Sequence, residues 1–406
     1  MPGASLPILI AGGGIGGLAA AIGLARAGFA VKVMEKASTF GEVGAGIQLG
    51  PNAFHAFDTL GVGEAARDMA IHIDALRLMD AMTGEEITHI PLGEAFRQRM
   101  GNPYAVVHRG DLHGIFLNAC IAHPDVTLMT DAAIATYAQT SSCVTAHLRS
   151  GETLEGAALI GADGLWSAVR AQMLNDGPPV VSGHTTYRSV IPTEDMPEDL
   201  RWNAATLWAG PKCHIVHYPL QGWKTFNLVV TYHNDAPEPV AGKPVSINEV
   251  RRGFEHIAPM ARQIIEHGRD WKLWVLCDRE PVMQWCDGRV ALLGDAAHPM
   301  LQYMAQGACM ALEDAVCLAD VIATHRSDIA GSLQLYQNRR RLRTARVQLQ
   351  SREMGTHVYH PAGAHAALRN EVMRARSADE WYDQIDWLYG STGLQGAVSA
   401  ETRGTG

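Results

Sequence analysis

The chain has 406 residues, of which 47% are hydrophobic and 18% charged, enough for roughly two to three domains and typical of globular rather than disordered or membrane proteins. Its 33 basic and 42 acidic residues give a net charge of −9. Because nucleic-acid binding draws on a basic surface, this balance favours a small-molecule partner. The seven cysteines form no CxxC pair, which indicates neither a disulfide framework nor a zinc site and fits a reducing cytoplasm.

The N-terminal segment predicts a βαβ unit. Residues 7–11 form a short buried strand, residues 18–27 a helix that ends at Gly28, and residues 30–34 a second strand. Residues 8–25 are uncharged and approach the length of a membrane-spanning helix. Because glycines interrupt this stretch repeatedly, we expect a nucleotide-binding turn there and no transmembrane segment.

The motif Gly12-x-Gly14-x-x-Gly17 lies between that strand and helix, and Glu35 follows the next strand. Gly12 permits a tight turn, Gly14 lets the backbone approach a pyrophosphate, and Gly17 allows close helix packing. The free N–H groups at the start of the helix attract phosphate, and Glu35 can accept hydrogen bonds from a ribose. The pattern predicts a dinucleotide site but does not separate NAD from FAD; its alternative is a tight turn in an unrelated α/β protein.

Two later strands end at acidic loops. Residues 153–161 lead into Asp163, and residues 289–294 lead into Asp295 before a helix over residues 306–323. A carboxylate just past a strand supplies acceptors for the hydroxyl groups of a ribose or a ribityl chain. For Asp163 the alternative is a helix N-cap.

Alternating runs rich in Trp, Tyr, Pro and Gly fill residues 187–285 and predict a mainly antiparallel sheet. We therefore predict an α/β fold in which a Rossmann-type dinucleotide-binding domain carries an inserted β-sheet domain and C-terminal helices. The predicted division assigns residues 1–183 and 286–345 to the two parts of the dinucleotide-binding domain, 184–285 to the sheet domain and 346–406 to a C-terminal helical segment.

Together, these three motifs resemble those of the class A flavoprotein aromatic hydroxylases, which are single-component FAD monooxygenases. The resemblance implies a para-hydroxybenzoate hydroxylase-like fold, bound FAD, and NADH or NADPH and O2 as cosubstrates. It implies that Asp295 binds the ribityl chain and that the Asp163 motif bridges FAD and the NAD(P)H path. Arg109 matches an arginine that contacts FAD, and the segment Gly44-Ala45-Gly46-Ile47-Gln48 resembles the loop that brackets the isoalloxazine ring.

The last motif departs from the common family pattern. Gln302 stands where that pattern has Pro, and Cys309 stands where it has Asn. The backbone amides near Gly307 and Ala308 lie at the predicted start of a helix. We expect them to face the flavin pyrimidine ring and to stabilise the anion of reduced flavin.

The strand Cys213-His214-Ile215-Val216-His217-Tyr218-Pro219 predicts the substrate site. Period-two alternation places His214, Val216 and Tyr218 on one face and His217 on the other. Attack of a flavin C4a-hydroperoxide on a phenol is faster when the phenolic proton is removed, a task that suits an imidazole. His214 is therefore the candidate base, and the alternative is a structural histidine within a sheet.

This strand, together with Gln302 and the segments GNPYAVVHRGDLH and GPK, is similar to the 3-hydroxybenzoate 6-hydroxylase branch of the family, which forms gentisate. The resemblance implies that His214 and Gln302 hold and activate the substrate phenol and that Tyr218 lines the pocket. Tyr104 is a further substrate-pocket candidate, with a core residue as its alternative.

We therefore predict hydroxylation of 3-hydroxybenzoate para to its hydroxyl group, in the cytoplasm and without a metal. The alternatives are a salicylate or 6-hydroxynicotinate hydroxylase, an NAD-dependent dehydrogenase, which the Asp163 and Asp295 motifs disfavour, and a non-catalytic flavin-binding redox protein. The resemblance implies a homodimer. The arginines of residues 339–346 predict a solvated or subunit-facing helix, with contact to anionic lipid as the minor alternative. The sequence leaves open the choice between NADH and NADPH and the anchor of the substrate carboxylate.

Overall fold

The computed structural model of the protein describes residues 6–41, 44 and 46–390. The predicted βαβ unit forms the centre of a six-stranded sheet, in which the fully buried strand Ile8–Ala11 pairs in parallel with strands on both sides. Helix Ile15–Arg26 connects two of these strands, and the chain leaves it at Gly28, whose φ of 83° suits glycine. In spatial order the strands are Cys286–Asp287, Val290–Leu292, Ala158–Gly161, Ile8–Ala11, Val31–Met34 and Val126–Met129.

The single strand predicted over residues 153–161 is wrong, because the structure has two strands there. Thr153–Gly156 belongs to a small antiparallel sheet with Val144–Leu148 and Ile134–Gln139, and Ala158–Gly161 belongs to the parallel sheet. The chain changes sheets at Ala157, where Gly156 packs so closely on the first strand that an added Cβ would lie 2.8 Å from the Pro7 carbonyl oxygen. A run of strand-forming residues does not reveal such a change of partner.

A larger sheet of eight strands is mainly antiparallel, as predicted. Two of its strands come from residues 75–91, which the predicted division places in the dinucleotide-binding domain. The strand Ala75–Asp80 pairs in parallel with Ala204–Gly210, a partner far along the sequence that local alternation does not identify. In spatial order the strands are Lys243–Pro244, Arg269–Asp278, Val180–Pro192, Thr225–His233, Cys213–Leu220, Ala204–Gly210, Ala75–Asp80 and Glu86–Pro91.

A fourth sheet, of three strands, contains Gly46–Leu49, Ala105–His108 and Ile71–His72. Within the described ranges, no helix is both long enough and apolar enough to cross a bilayer. The α-helices that follow Ile15–Arg26 are Pro51–Leu60, Gly63–Met69, Glu94–Met100, Arg109–Ala122, Ala168–Leu174, Ile247–Arg251, Pro259–Glu266, Gly307–Thr324, Ile329–Met354, Gly363–Arg374 and Ala378–Tyr389.

The arginine run on helix Ile329–Met354 is only partly solvated, so the prediction of a solvated or subunit-facing helix is wrong for two of its members. Arg340 is 2% exposed and its guanidinium lies 2.6 Å from Glu313 and 2.7 Å from Asp314. Arg343 also pairs with Glu313, at 2.7 Å. These buried ion pairs join helix Ile329–Met354 to helix Gly307–Thr324, and breaking such a pair leaves an uncompensated buried charge.

Candidate active site

A cavity of ≈ 1030 Å³ opens where the parallel strands end, between the parallel sheet and the large sheet. Ligands of α/β sheets bind at this edge. The cavity brings together most of the residues singled out in the sequence, whereas Gly17 and Tyr104 do not line it. Those that line it are Gly12, Gly14, Glu35, Gly46, Gln48, Arg109, Asp163, His214, Tyr218, Asp295, Gln302, Gly307 and Ala308. Ala45 of the predicted bracketing segment lies outside the described residues.

The glycine turn has no room for side chains. Gly12 has a φ of 106°, and a Cβ added to it would lie 2.3 Å from the carbonyl oxygen of Ala162. A Cβ on Gly17 would lie 2.0 Å from the carbonyl oxygen of Gly12. The turn therefore packs directly on the loop after strand Ala158–Gly161, while Gly14 and the first amides of helix Ile15–Arg26 face the cavity. Such unpaired amides at the positive end of a helix suit a phosphate group.

Glu35 is held at the edge of the cavity by the backbone. Its Oε2 accepts a hydrogen bond from the amide of Gly13 at 2.8 Å, and its Oε1 accepts one from Ala37 at 2.9 Å. The carboxylate still lines the cavity. Its assignment to a ribose hydroxyl stays a prediction.

The N-cap of helix Ala168–Leu174 is Ser167, so the alternative interpretation of Asp163 as the N-cap is wrong. The carboxylate of Asp163 supports the same helix start: it accepts hydrogen bonds from Ser167 Oγ at 2.5 Å and from the amide of Ala168 at 2.7 Å, and burial raises its pKa. Asp163 also lines the cavity.

The middle and last motifs are tied together by Arg170. Its guanidinium is buried and donates hydrogen bonds to the carbonyl groups of Ala296 and Ala297 at 3.0 and 2.8 Å. This contact fixes the loop that carries Asp295, whose side chain is exposed to the cavity. Helix Gly307–Thr324 begins on the same side, with the Cβ position of Gly307 only 3.8 Å from Asp295 Oδ1.

The substrate strand Cys213–Leu220 has the predicted alternation. His214, Val216 and Tyr218 line the cavity, whereas His217 lies on the opposite face beside Trp202 and Trp208. Tyr218 packs so closely on Gly46 that a Cβ there would lie 2.5 Å from the tyrosine ring. The predicted bracketing loop is thus in direct contact with the predicted substrate strand.

His214 lies in a cluster of aromatic rings that the sequence did not identify. Its Nδ1 is 2.7 Å from Nε2 of His360, and the ring of Tyr359 lies 4.8 Å away, centroid to centroid. Burial, together with the nearby His360 and His184, holds the pKa of His214 well below its usual value. The imidazole is therefore neutral around pH 7, and the same environment makes it a weaker base than a solvated imidazole.

Gln302 is held in one orientation by three neighbours. Its Nε2 donates to Thr231 Oγ1 at 3.1 Å and to Thr186 Oγ1 at 3.3 Å, and its Oε1 accepts a hydrogen bond from Arg188 at 3.1 Å. Thr231 is also the cross-strand partner of His214. The two residues proposed to hold a phenol therefore share one neighbouring strand, Thr225–His233.

Tyr104 contributes indirectly. Its hydroxyl donates to Gln48 Oε1 at 2.8 Å, and the residue lines a second cavity of ≈ 480 Å³ that adjoins the first. The two cavities share Gln48, Val216 and Tyr359 among their lining residues. Tyr104 thus supports Gln48 rather than facing the main cavity.

The buried histidines predict acid-sensitive stability. Burial lowers the pKa of His184 to about 4 and of His217 and His360 to about 3. In the unfolded chain these histidines take up protons below about pH 6.5, whereas the folded protein keeps them neutral. The free energy of unfolding is therefore fully retained above that pH and falls as the pH drops below it. Each such histidine lowers the free energy of unfolding by about 1.4 kcal/mol for each pH unit below this value. Urea unfolding at pH 7.5, 6.0 and 5.0 measures this decrease.

A His217→Phe variant provides the matched test of this slope. His217 is fully buried, and neither ring nitrogen has a hydrogen-bond partner within the described part of the chain. The substitution therefore removes the titrating group without breaking a hydrogen bond of the cavity wall. We expect a shallower loss of unfolding free energy below pH 6.5; an unchanged slope would contradict the assignment.

Comparisons with known proteins agree with this architecture. The model of the FAD binding domain family matches residues 5–351. The chain is 54% identical to 3-hydroxybenzoate 6-hydroxylase 1 of Aquipseudomonas alcaligenes, over 94% of this chain and 97% of that protein, and 50% identical to 3-hydroxybenzoate 6-hydroxylase of Polaromonas naphthalenivorans, over 95% and 96%. The structure of Klebsiella pneumoniae HpxO with FAD and uric acid superposes with a TM-score of 0.83 at 25% identity, over 94% of this chain and 95% of that chain.

The chain belongs to the FAD binding domain family and, within it, to the class A FAD-dependent aromatic hydroxylases. It is accordingly an FAD-dependent aromatic-ring monooxygenase, a class that uses NAD(P)H and O2 as cosubstrates. The predicted α/β fold class, with a Rossmann-type FAD-binding domain and an inserted sheet domain, is confirmed.

The cavity fits FAD. Its size, the side-chain-free turn at Gly12 and the two helices that begin at it near Gly14 and Gly307 suit a long cofactor with a pyrophosphate in its middle. Glu35 and Asp295 add carboxylates to the lining of the same cavity. The individual assignments, with pyrophosphate at Gly14 and the ring at Gly307 and Ala308, stay predictions.

Proposed function

We propose that the protein hydroxylates 3-hydroxybenzoate para to its hydroxyl group and forms 2,5-dihydroxybenzoate (gentisate), with NADH or NADPH and O2 as cosubstrates. Relatives at 54% and 50% identity carry the name of this activity. The observation that carries the proposal is the pair formed by a neutral His214 and an oriented Gln302 amide on one wall of the cavity. Bound FAD supplies the chemistry that accepts a hydride from the nicotinamide and activates O2.

His214 accepts the phenolic proton of the substrate. Loss of this proton raises the electron density of the ring at the positions ortho and para to the oxygen, where an electrophilic oxygen attacks. Gln302 donates its two N–H groups to Thr186 and Thr231, and its carbonyl oxygen keeps one lone pair beyond the contact with Arg188, which can accept a hydrogen bond from the substrate hydroxyl group. His360 bonds to the far nitrogen of His214 and fixes the plane of that ring.

Part of the cavity wall is apolar. Apolar side chains surround the predicted phenol site, among them Val216, Val229, Met300 and Leu301. A dry site strengthens the hydrogen bonds to the substrate and limits the loss of activated oxygen to water.

Turnover of the purified flavoprotein on a panel of aromatic acids tests the proposal. We expect 3-hydroxybenzoate to stimulate NADH or NADPH oxidation and to yield gentisate in nearly equimolar amount to the nicotinamide consumed, measured by chromatography. If salicylate or 6-hydroxynicotinate yields product coupled to nicotinamide oxidation and 3-hydroxybenzoate yields none, that acid is the substrate instead of 3-hydroxybenzoate. Flavin without stimulated oxidation by any of these acids would support the non-catalytic alternative.

We further propose that the enzyme acts as a homodimer in the cytoplasm. Its predicted homodimeric state follows from the resemblance to the family. Light scattering on the purified protein measures the mass of the assembly directly.

A further inference from the structure

Arg188 is a cation of the main cavity to which no sequence motif assigns a function. It lies on strand Val180–Pro192, and its side chain lines the cavity together with Gln302 and Tyr218. Its Nη2 donates to Gln302 Oε1 at 3.1 Å. Its Nε is buried and has no hydrogen-bond partner among the described residues.

Among the described residues, no carboxylate pairs with the guanidinium of Arg188. Within the described part of the chain Arg188 forms no ion pair, and its guanidinium lies 5.5 Å from the ring centroid of Trp274. Burial lowers the pKa of Arg188; the nearby Tyr218 opposes this shift, and the cation Arg109 adds to it. By contrast, the buried Arg170 and Arg340 pair with Asp176 and Glu313. A partly buried guanidinium that faces a cavity and has no paired carboxylate is suited to an anionic ligand.

The position of Arg188 relates it to the phenol site. Gln302 accepts its hydrogen bond on one side and donates to Thr231, the cross-strand partner of His214, on the other. A single small aromatic ring can therefore contact Arg188 with one substituent and the pair of His214 and Gln302 with another.

We infer that Arg188 binds the carboxylate of the substrate and thereby selects hydroxylated aromatic acids over neutral phenols. The inference rests on the proposed function for the identity of the phenol site. A guanidinium presents several N–H donors in one plane and so matches the oxygens of a carboxylate. With the carboxylate at Arg188 and the hydroxyl group at His214, the ring has one defined orientation, so Arg188 also helps to determine which carbon is hydroxylated.

Binding of matched acids and amides to the holoenzyme tests this inference without turnover. The dissociation constants of 3-hydroxybenzoate, 3-hydroxybenzamide, benzoate and benzamide are obtained from the perturbation of the flavin absorption spectrum. In the Arg188→Met variant we expect the dissociation constants of both acids to rise by about 100-fold and those of both amides to change by less than about threefold. Arg188→Lys keeps the charge but not the planar fork and should recover part of the acid affinity.

Thr231→Val is the matched comparison, because it removes a contact that orients Gln302 without removing charge. It should raise the dissociation constants of 3-hydroxybenzoate and 3-hydroxybenzamide by the same factor. If Arg188→Met behaves in this way, Arg188 only positions Gln302 and the inference is wrong. FAD content and the thermal midpoint of each variant establish that the cavity is intact.

Benzoate separates this inference from the proposed function, since it has a carboxylate but no hydroxyl group to activate. Loss of its binding in Arg188→Met supports the anchor even if 3-hydroxybenzoate proves not to be the substrate. Unchanged benzoate binding in Arg188→Met overturns the anchor even if gentisate is formed.

Discussion

Replacement of His214 by alanine should leave reduction of the bound flavin by the nicotinamide largely intact, while most reducing equivalents appear as hydrogen peroxide instead of product. The neutral imidazole of His214 lines the cavity and is the group placed to take the phenolic proton. Because a positioned base contributes about 10²-fold or more, the yield of gentisate per nicotinamide oxidised should fall at least about tenfold. The ratio of product to hydrogen peroxide, measured with a peroxidase-coupled assay, gives the result.

His217→Phe is the control for this experiment, because His217 lies on the same strand but faces away from the cavity. It should retain the coupling of the wild-type enzyme. A full yield of product in His214→Ala would remove His214 from the mechanism, whereas equal uncoupling in both variants would indicate a general effect on the strand.

Replacement of Gly17 by alanine should abolish tight binding of FAD. The added Cβ would lie 2.0 Å from the carbonyl oxygen of Gly12. Because that oxygen belongs to the backbone, no flexible side chain can move to relieve the overlap. To relieve this contact the turn must move off the loop at Ala162, which displaces the amides that face the cavity. We expect purified Gly17→Ala protein to contain less than about a tenth of the wild-type flavin, measured from the ratio of visible to ultraviolet absorbance.

Gly114→Ala is the matched control, since a Cβ at this helical position meets no atom within 4 Å. It should bind FAD as the wild type does. Circular dichroism distinguishes loss of cofactor from loss of fold in Gly17→Ala. A folded Gly17→Ala protein with a full complement of FAD would show that the turn tolerates the side chain.

The features that the sequence predicted correctly depend on neighbours close along the chain. The glycine turn follows from the spacing of Gly12 and Gly17, and the face shared by His214 and Tyr218 follows from strand alternation. Where resemblance supplied a position, as for Gln302, the structure brings it into the same cavity.

The features that the sequence did not predict depend on contacts between distant segments. His360 reaches His214 from the C-terminal part of the chain, and Arg188 reaches Gln302 from a different strand, so neither has a local pattern that marks it. The strand at 75–80 likewise has an ordinary composition, and only its pairing with Ala204–Gly210 shows to which sheet it belongs. Such pairings are selected by packing in three dimensions, which a local pattern does not encode.

The participation of Ala75–Asp80 and Glu86–Pro91 in the large sheet affects how substrate preference can be exchanged between relatives. Consider a hybrid gene with one crossover on each side of the inserted domain. The inserted strands of the large sheet would come from one parent, and the strands Ala75–Asp80 and Glu86–Pro91 at the end of that sheet would come from the other. The hybrid would also separate His214 from the parental His360. Productive hybrids should therefore carry three segments together: the edge strands, the insert, and the stretch that contains Tyr359 and His360.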